Sequence, residues 1–281
     1  MKGKSIWPLA VLFLACLPLV LLGQGKKPRA PANPEDITSW HNKTAMFFAP
    51  HPDDDLSAAG TMAKLVKNGN KVYIIIYCSG NAGTRDLEMT RERLAQIRRQ
   101  EDFAANKILG IPQDNIFMLG YDDGMLEYVP QREITEKACW FIRKYRPDAL
   151  FTLDPGDRVM KWHKTDHRAS SFLTTDAARA AAYFLVFPSQ YIEEHLLPYT
   201  VTDWFFYGSS EPNYKVDITD VADLKWKASC QHTSQTGKGN LKYTGPVMDP
   251  EDQTNAKRRI QPGPDGKVYE QFRRLQESLS F

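Results

Sequence analysis

Cysteine is scarce in this 281-residue chain, which holds only four. Cys16 sits inside an N-terminal apolar run. The other three, Cys78, Cys139 and Cys230, are odd in number and match neither a zinc ribbon nor a disulfide framework. They read as small buried hydrophobes. Net charge is low as well, +2 with a pI near 8.2, and no basic stripe interleaved with aromatics stands out. That argues against nucleic acid as a partner and for a small or neutral one. No internal repeat or low-complexity tract is present, which removes repeat arrays. What remains is a globular composition, 42% hydrophobic and 25% charged, long enough for one large α/β domain.

At the N-terminus, Lys2 and Lys4 precede an apolar run from Ile6 to Leu22, followed by Gly23, Gln24 and Gly25. This pattern predicts a secretory signal peptide over 1–25, and hence a secreted or periplasmic protein. The alternative is a membrane tether through residues 6–22, a run at the lower limit for spanning a bilayer and weakened as a helix by Pro8 and Pro18. Residues 26–43, rich in Pro, Lys, Asn and Asp, read as a linker, with the folded domain over 44–281.

From Thr44 onward, apolar runs alternate with helical patterns. Strands are predicted at Ala45–Ala49, Val72–Cys78, Asn115–Leu119 and Ala149–Leu153, with helices around Leu56–Val66, Thr90–Leu109, Ile134–Tyr145 and Ala169–Phe187. Such spacing predicts an α/β fold, a Rossmann-like, mostly parallel sheet flanked by helices, with its ligand site at the carboxyl ends of the strands. The Gly- and Pro-rich segment from Gly237 to Lys267 reads as an irregular excursion, a lid or an interface.

Two histidine-bearing motifs fall at such strand ends. In Pro50-His51-Pro52-Asp53-Asp54-Asp55, three adjacent carboxylates repel one another, so a cation beside them would offset the charge; alternatively, the aspartates cap the following helix. The second motif, His163-Lys164-Thr165-Asp166-His167, places two histidines four apart, on one side of a helical turn. Together the motifs point to a metal. Imidazole nitrogens with one carboxylate oxygen suit Zn2+ in a catalytic site that leaves a position open for water.

These two motifs resemble the paired His-Pro-Asp-Asp and His-x-x-Asp-His signatures of the LmbE-like, or PIG-L, zinc-dependent N-acetylglucosaminyl deacetylases. The similarity extends to Arg98–Glu101 with Ile108–Gly110, to Leu119–Leu126 with Asp123-Gly124, to Trp226–Gln235 with His232 and Gln235, and to Tyr269–Leu275 as the family's C-terminal helix. The resemblance implies that His51, Asp54 and His167 bind zinc and that Asp53 is the general base. It implies further that His163 stabilises the oxyanion or assists the leaving amine, that Asp166 orients a histidine, and that Arg98 and His232 meet the substrate. One departure is Asp55, where the family usually carries Glu: the charge stays and the reach shortens by a methylene.

The expected activity is removal of an N-acetyl group from an N-acetylglucosaminyl-type amino sugar, with a small-molecule or glycan substrate. Two alternatives are an amidase on a different amino-sugar amide and a secreted carbohydrate-binding protein of the same fold without turnover. In the binding protein, Trp162, Trp204–Tyr207 and Tyr214 would supply stacking surfaces. A degenerate binder is expected to lose Asp53 or His163, and this chain has both.

Overall fold

The computed structural model describes residues 36–156 and 165–277. Its centre is a seven-stranded sheet of β1 (Thr44–Ala49), β2 (Lys71–Cys78), β3 (Ile116–Tyr121), β4 (Ala149–Leu153), β5 (Trp204–Tyr207), β6 (Tyr214–Asp217) and β7 (Tyr269–Leu275). The strand order is β3-β2-β1-β4-β5-β7-β6. The first five strands are parallel, and β7 and β6 add an antiparallel edge. The four strands predicted from the sequence all form, β1, β2 and β4 as nearly unbroken apolar runs because helices cover both faces of the sheet.

One face carries α1 (Ala59–Lys67), α2 (Arg91–Ile108) and α6 (Ala222–Ser229); the other carries α3 (Gln131–Tyr145) and α4 (Thr165–Ala181). Phe47, Phe151 and Phe205 stack across β1, β4 and β5 with ring centroids 4.1 and 4.5 Å apart. Burying such a side chain contributes roughly 1.5–3 kcal/mol. Short helices α5 (Pro188–Ile192), α7 (Gly237–Leu241) and α8 (Pro250–Arg258) complete the fold.

Three expectations change. Tyr269–Leu275, expected as a helix, is strand β7 with burial alternating residue by residue. Its inward set is Glu270, Phe272 and Arg274, and the two charges hide the period-two signal. Glu270 accepts from the backbone amides of Gly60 and Thr61, 2.8 Å each, and Arg274 pairs with Asp203 at 2.6 Å, so both charges are compensated. The supposed linker is packed from Asp36 on: Ile37 and Trp40 are buried in the core, with Trp40 edge-on to Phe205. The segment after Gly237 contains α7 and α8 rather than being wholly irregular.

The order β2-β1-β4-β5 reverses direction between β1 and β4. Loops leaving these two strands diverge to opposite faces and open a crevice at their carboxyl ends. His51 and the aspartates follow β1, and the start of α4, with Asp166 and His167, follows β4.

Candidate metal centre and active site

His51 is buried, 3% exposed, at the bottom of the crevice. Its Nε2 lies 3.0 Å from Asp166 Oδ2 and 3.1 Å from Asp123 Oδ1. Its Nδ1 lies 3.0 Å from Asp54 Oδ2, and His167 Nε2 approaches the same oxygen at 3.3 Å. Burial works against a charge on His51, but hydrogen bonds to Asp123, Asp166 and Asp54 outweigh it and push its pKa up to about 11. Burial likewise opposes ionisation of Asp54, yet hydrogen bonds from His167 and His51 hold it well below the usual carboxylate range.

Donor atoms of His51, Asp54 and His167 all lie within 4.8 Å of one another. Around a four-coordinate zinc, with bonds of ~2.0–2.1 Å, neighbouring donors sit about 3.3 Å apart. The distances of 3.0 and 3.3 Å to Asp54 Oδ2 match that spacing, so these three residues can hold such an ion. A second group, His51, Cys78 and Asp166, is equally close. It fits a metal less well: it is wholly buried, and Asp166 is committed to the backbone amides of Gly124 (2.5 Å) and Leu126 (3.0 Å). Asp166 and Asp123 instead keep a proton on His51 Nε2 and leave Nδ1 to face Asp54 and His167, the usual arrangement around a metal-bound imidazole.

Asp53 does not cap the following 3-10 turn; no side-chain capping bond forms. Its backbone φ is +125°, rare for a side-chain-bearing residue and costing roughly 1–3 kcal/mol. Arg98 on α2 fixes this conformation. Its Nη2 donates to the carbonyl of Pro52 at 2.7 Å and pairs with Asp53 Oδ1 at 3.1 Å, while Nη1 donates to the Gly80 carbonyl at 3.1 Å. Gly80 has φ +68°, and a Cβ there would stand 2.5 Å from Arg98 Nη1. Burial raises the pKa of Asp53 and the Arg98 charge pulls against it, leaving it at about 7.

Arg98 is only 3% exposed, so the expectation that it meets the substrate is replaced by a place behind the base. His232, expected at the rim, is also buried at 2%, and neither ring nitrogen finds a hydrogen-bond partner among the described residues. Burial, with the nearby charge of Arg98, lowers its pKa to about 3, so the ring is neutral. The adjoining Thr233 and Ser234 are gripped by Glu101 of α2 through contacts of 2.6–2.7 Å. Asp55 reaches Asn106 at 3.1 Å rather than Arg98, which is how its shorter side chain still braces α2. His163 and Trp162 lie outside the described residues. The aromatic run Trp204–Tyr207 is buried as β5 and offers no stacking surface.

Sequence reasoning missed Asp123 as a site residue. Asp123-Gly124 falls in the family-like loop Leu119–Leu126 without a role of its own there, and only the fold brings Asp123 to His51 Nε2 and within 3.9 Å of Arg98. Burial would raise its pKa, but the hydrogen bond from His51 and the charges of His51 and Arg98 hold it at about 2.

Asp53 also lines a cleft of about 830 Å³ that runs between the loop after β2 and the α7–α8 segment. The arrangement is thus a candidate cation site, a carboxylate beside it, and room for a ligand against that carboxylate.

A family model described as PIG-L, GlcNAc-PI de-N-acetylase, matches residues 46–178, the stretch that holds His51, Asp53, Asp54, Arg98, Asp123, Asp166 and His167. Diacetylchitobiose deacetylase of Thermococcus kodakarensis is 34% identical over 194 residues, 69% of this chain and 70% of that protein. A probable N-acetyl-alpha-D-glucosaminyl L-malate deacetylase 2 of Bacillus cereus is 28% identical over 66% of this chain and 81% of its own length. Among solved structures, N,N'-diacetylchitobiose deacetylase from Pyrococcus horikoshii, in complex with an inhibitor, superposes with a TM-score of 0.71 at 29% identity, covering 83% of this chain and 84% of that one.

Proposed function

This chain belongs to the PIG-L family of de-N-acetylases, and from that premise we propose that it is a zinc-dependent hydrolase removing the acetyl group from an N-acetylglucosaminyl-type amino sugar. The observation that carries this reading is the convergence of donor atoms of His51, Asp54 and His167 within 4.8 Å, with the strained Asp53 beside them on the cleft wall. His51, Asp54 and His167 would hold the ion, Nδ1 being the His51 nitrogen that faces the other two residues. When bound, zinc polarises an amide carbonyl and makes water a stronger acid.

The rest falls to side chains. Asp53 takes the proton from the attacking water, a step its burial favours because burial favours the protonated carboxyl, and then passes it to the departing nitrogen. Acetate and a free amine result. Arg98 keeps the carboxylate of Asp53 in place; Asp166 and Asp123 keep the ring of His51 aimed. By the family resemblance, His163 would stabilise the oxyanion or assist the leaving amine. His232 is neutral and buried near the Arg98 charge.

A non-catalytic carbohydrate binder would not need a carboxylate held at φ +125°, and hydrolysis of another amino-sugar amide would use the same groups. The experiment measures bound zinc and acetate release from N-acetylglucosamine and its glycosides, for the wild type and for Asp54→Ala. Zinc near one per chain with turnover in the first, and loss of both in the second, supports the proposal. Zinc without release of acetate from any N-acetyl sugar overturns it. We assign residues 1–25 to a cleaved leader and the enzyme to the exterior or periplasm, on the strength of Lys2, Lys4 and the apolar run; finding the intact N-terminus in the mature protein sinks that assignment.

A further inference from the structure

The turn that carries Asp54 has no capping side chain of its own. Asp53 makes no capping bond to the 3-10 turn Asp54–Ala58, and Ala58, which precedes α1, has no polar side chain with which to cap the helix. The first turn of α1 holds no acid either. Amides at a helix start lack partners within the helix, and buried ones cannot turn to water, so acceptors must come from elsewhere in the fold.

They come from a residue far along the chain. Glu270 of β7, 4% exposed, accepts through Oε1 from Gly60 N at 2.8 Å, and through Oε2 from Thr61 N at 2.8 Å and Thr61 Oγ1 at 2.6 Å. Lys225 of α6 closes the arrangement: its Nζ pairs with Glu270 Oε1 and donates to the carbonyl of Ser57 at 3.2 Å. Ser57 belongs to the 3-10 turn itself. A Cβ on Gly60 would stand 2.6 Å from Ile218 Cδ1, so the start of α1 also lies flat against the residue that follows β6.

The aspartate segment is therefore held on both sides. Arg98 takes the carbonyl of Pro52 before it, and Lys225 with Glu270 takes Ser57, Gly60 and Thr61 after it. Stability alone does not require charges here, because an apolar pair of similar volume serves as well as a buried ion pair. What the ion pair adds is direction, since charge-assisted hydrogen bonds are short and geometrically restrictive. Lys225 and Glu270 lie outside the stretch 46–178 that the family model matches.

Resting on the zinc reading of the centre, we propose that Glu270 and Lys225 are positioning residues for it. Together they set where the turn places the carboxylate of Asp54 against His51 and His167. Without them the turn shifts, and the spacing of 3.0 and 3.3 Å from Asp54 Oδ2 to the two histidines is lost.

The test measures the zinc Kd of the full chain by competition with a chromophoric chelator, alongside urea unfolding and kcat and KM for acetate release from N-acetylglucosamine. Glu270→Gln keeps the shape but leaves one acceptor oxygen where Gly60, Thr61 and Lys225 all donate, so its NH2 group faces another donor. We expect zinc binding to weaken by about 10–100-fold and kcat to fall by about tenfold or more, with KM within about twofold of wild type. Lys225→Met should act in the same direction, and Lys225→Arg should recover most of the loss, because a guanidinium also reaches a carboxylate and a carbonyl at once. Asp220→Asn, which releases Lys64 and Lys67 of α1 from an exposed ion pair, should leave zinc affinity unchanged. Lower stability with a wild-type zinc Kd in Glu270→Gln and Lys225→Met overturns the proposal, and so does an equal loss of affinity in Asp220→Asn. If Glu270→Gln does not fold, Lys225→Met decides. Zinc bound by the wild type without acetate release sinks the deacetylase reading and leaves the Kd comparison to judge the positioning role; a wild type that binds no zinc overturns both.

Discussion

The guanidinium of Arg98 stands 3.1 Å from Asp53 Oδ1, and the nitrogen that makes this contact also donates to the carbonyl of Pro52, the residue before it. One buried cation thus fixes both the side chain and the backbone of the proposed base. If its task is positioning, Arg98→Ala should lower kcat by about 100-fold, the cost of a reacting group misplaced by about 1 Å, and leave KM nearly unchanged. Arg98→Lys should recover little, since an ammonium cannot span three acceptors in one plane. Steady-state kinetics on an N-acetyl sugar decides it: a rise in KM alone would mean that Arg98 touches the substrate after all.

Gly80→Ala tests the same clamp from the other side. A methyl at a position with φ +68° and 2.5 Å from Arg98 Nη1 forces the guanidinium to move. Loss of about 1–3 kcal/mol in denaturant unfolding is expected, together with a fall in kcat resembling that of Arg98→Ala. An unimpaired Gly80→Ala enzyme would show that the clamp is dispensable.

Metal uptake should release a proton. Without a metal, His51 titrates at about 11 and is charged at neutral pH; only its deprotonated Nδ1 can bind an ion. Affinity for zinc should therefore rise by about tenfold per pH unit through the neutral range, and titration calorimetry in buffers of different ionisation enthalpy should report about one proton released per ion from this ring. Affinity flat from pH 6 to 8 would refute the assignment.

The same ring governs the stability of the stripped protein. His51 has its pKa raised above the unfolded value of 6.5, so its stabilising contribution is fully present below 6.5 and fades as pH rises toward about 11. Melting temperatures of chelator-treated protein should fall over that window and be restored by added zinc. Asp166→Asn should weaken zinc binding by about 10–100-fold, because it loosens the hold on His51 Nε2.

Far from the site, Arg143 of α3 is buried and donates to the carbonyls of Ala180, Ala181, Tyr183, Val186 and Phe187, closing the end of α4 and the loop after it. Arg143→Ala should cost about 3–5 kcal/mol, measured by urea unfolding, with metal content per folded chain unaltered. A loss under 1 kcal/mol would show that water replaces it.

The sequence by itself determined the parallel half of the sheet and the motifs that carry the candidate metal ligands. Strands β1, β2 and β4 are covered on both faces, so their apolar runs stand out in one dimension, and His51, Asp54 and His167 fall within two short motifs at strand ends. What it left open depended on distant partners. β7 carries Glu270 and Arg274 inward, acceptable only because Gly60, Thr61 and Asp203 are waiting across the fold. Asp123 lies in a family-like loop that gives it no role; it becomes part of the site through His51, 72 positions earlier in the chain. Arg98 and His232 sit on segments that could face either way, and the tertiary structure turned both inward. Hydrophobic burial has a period that a sequence displays, whereas a buried charge is stable only beside its partner, and that partner is chosen in three dimensions.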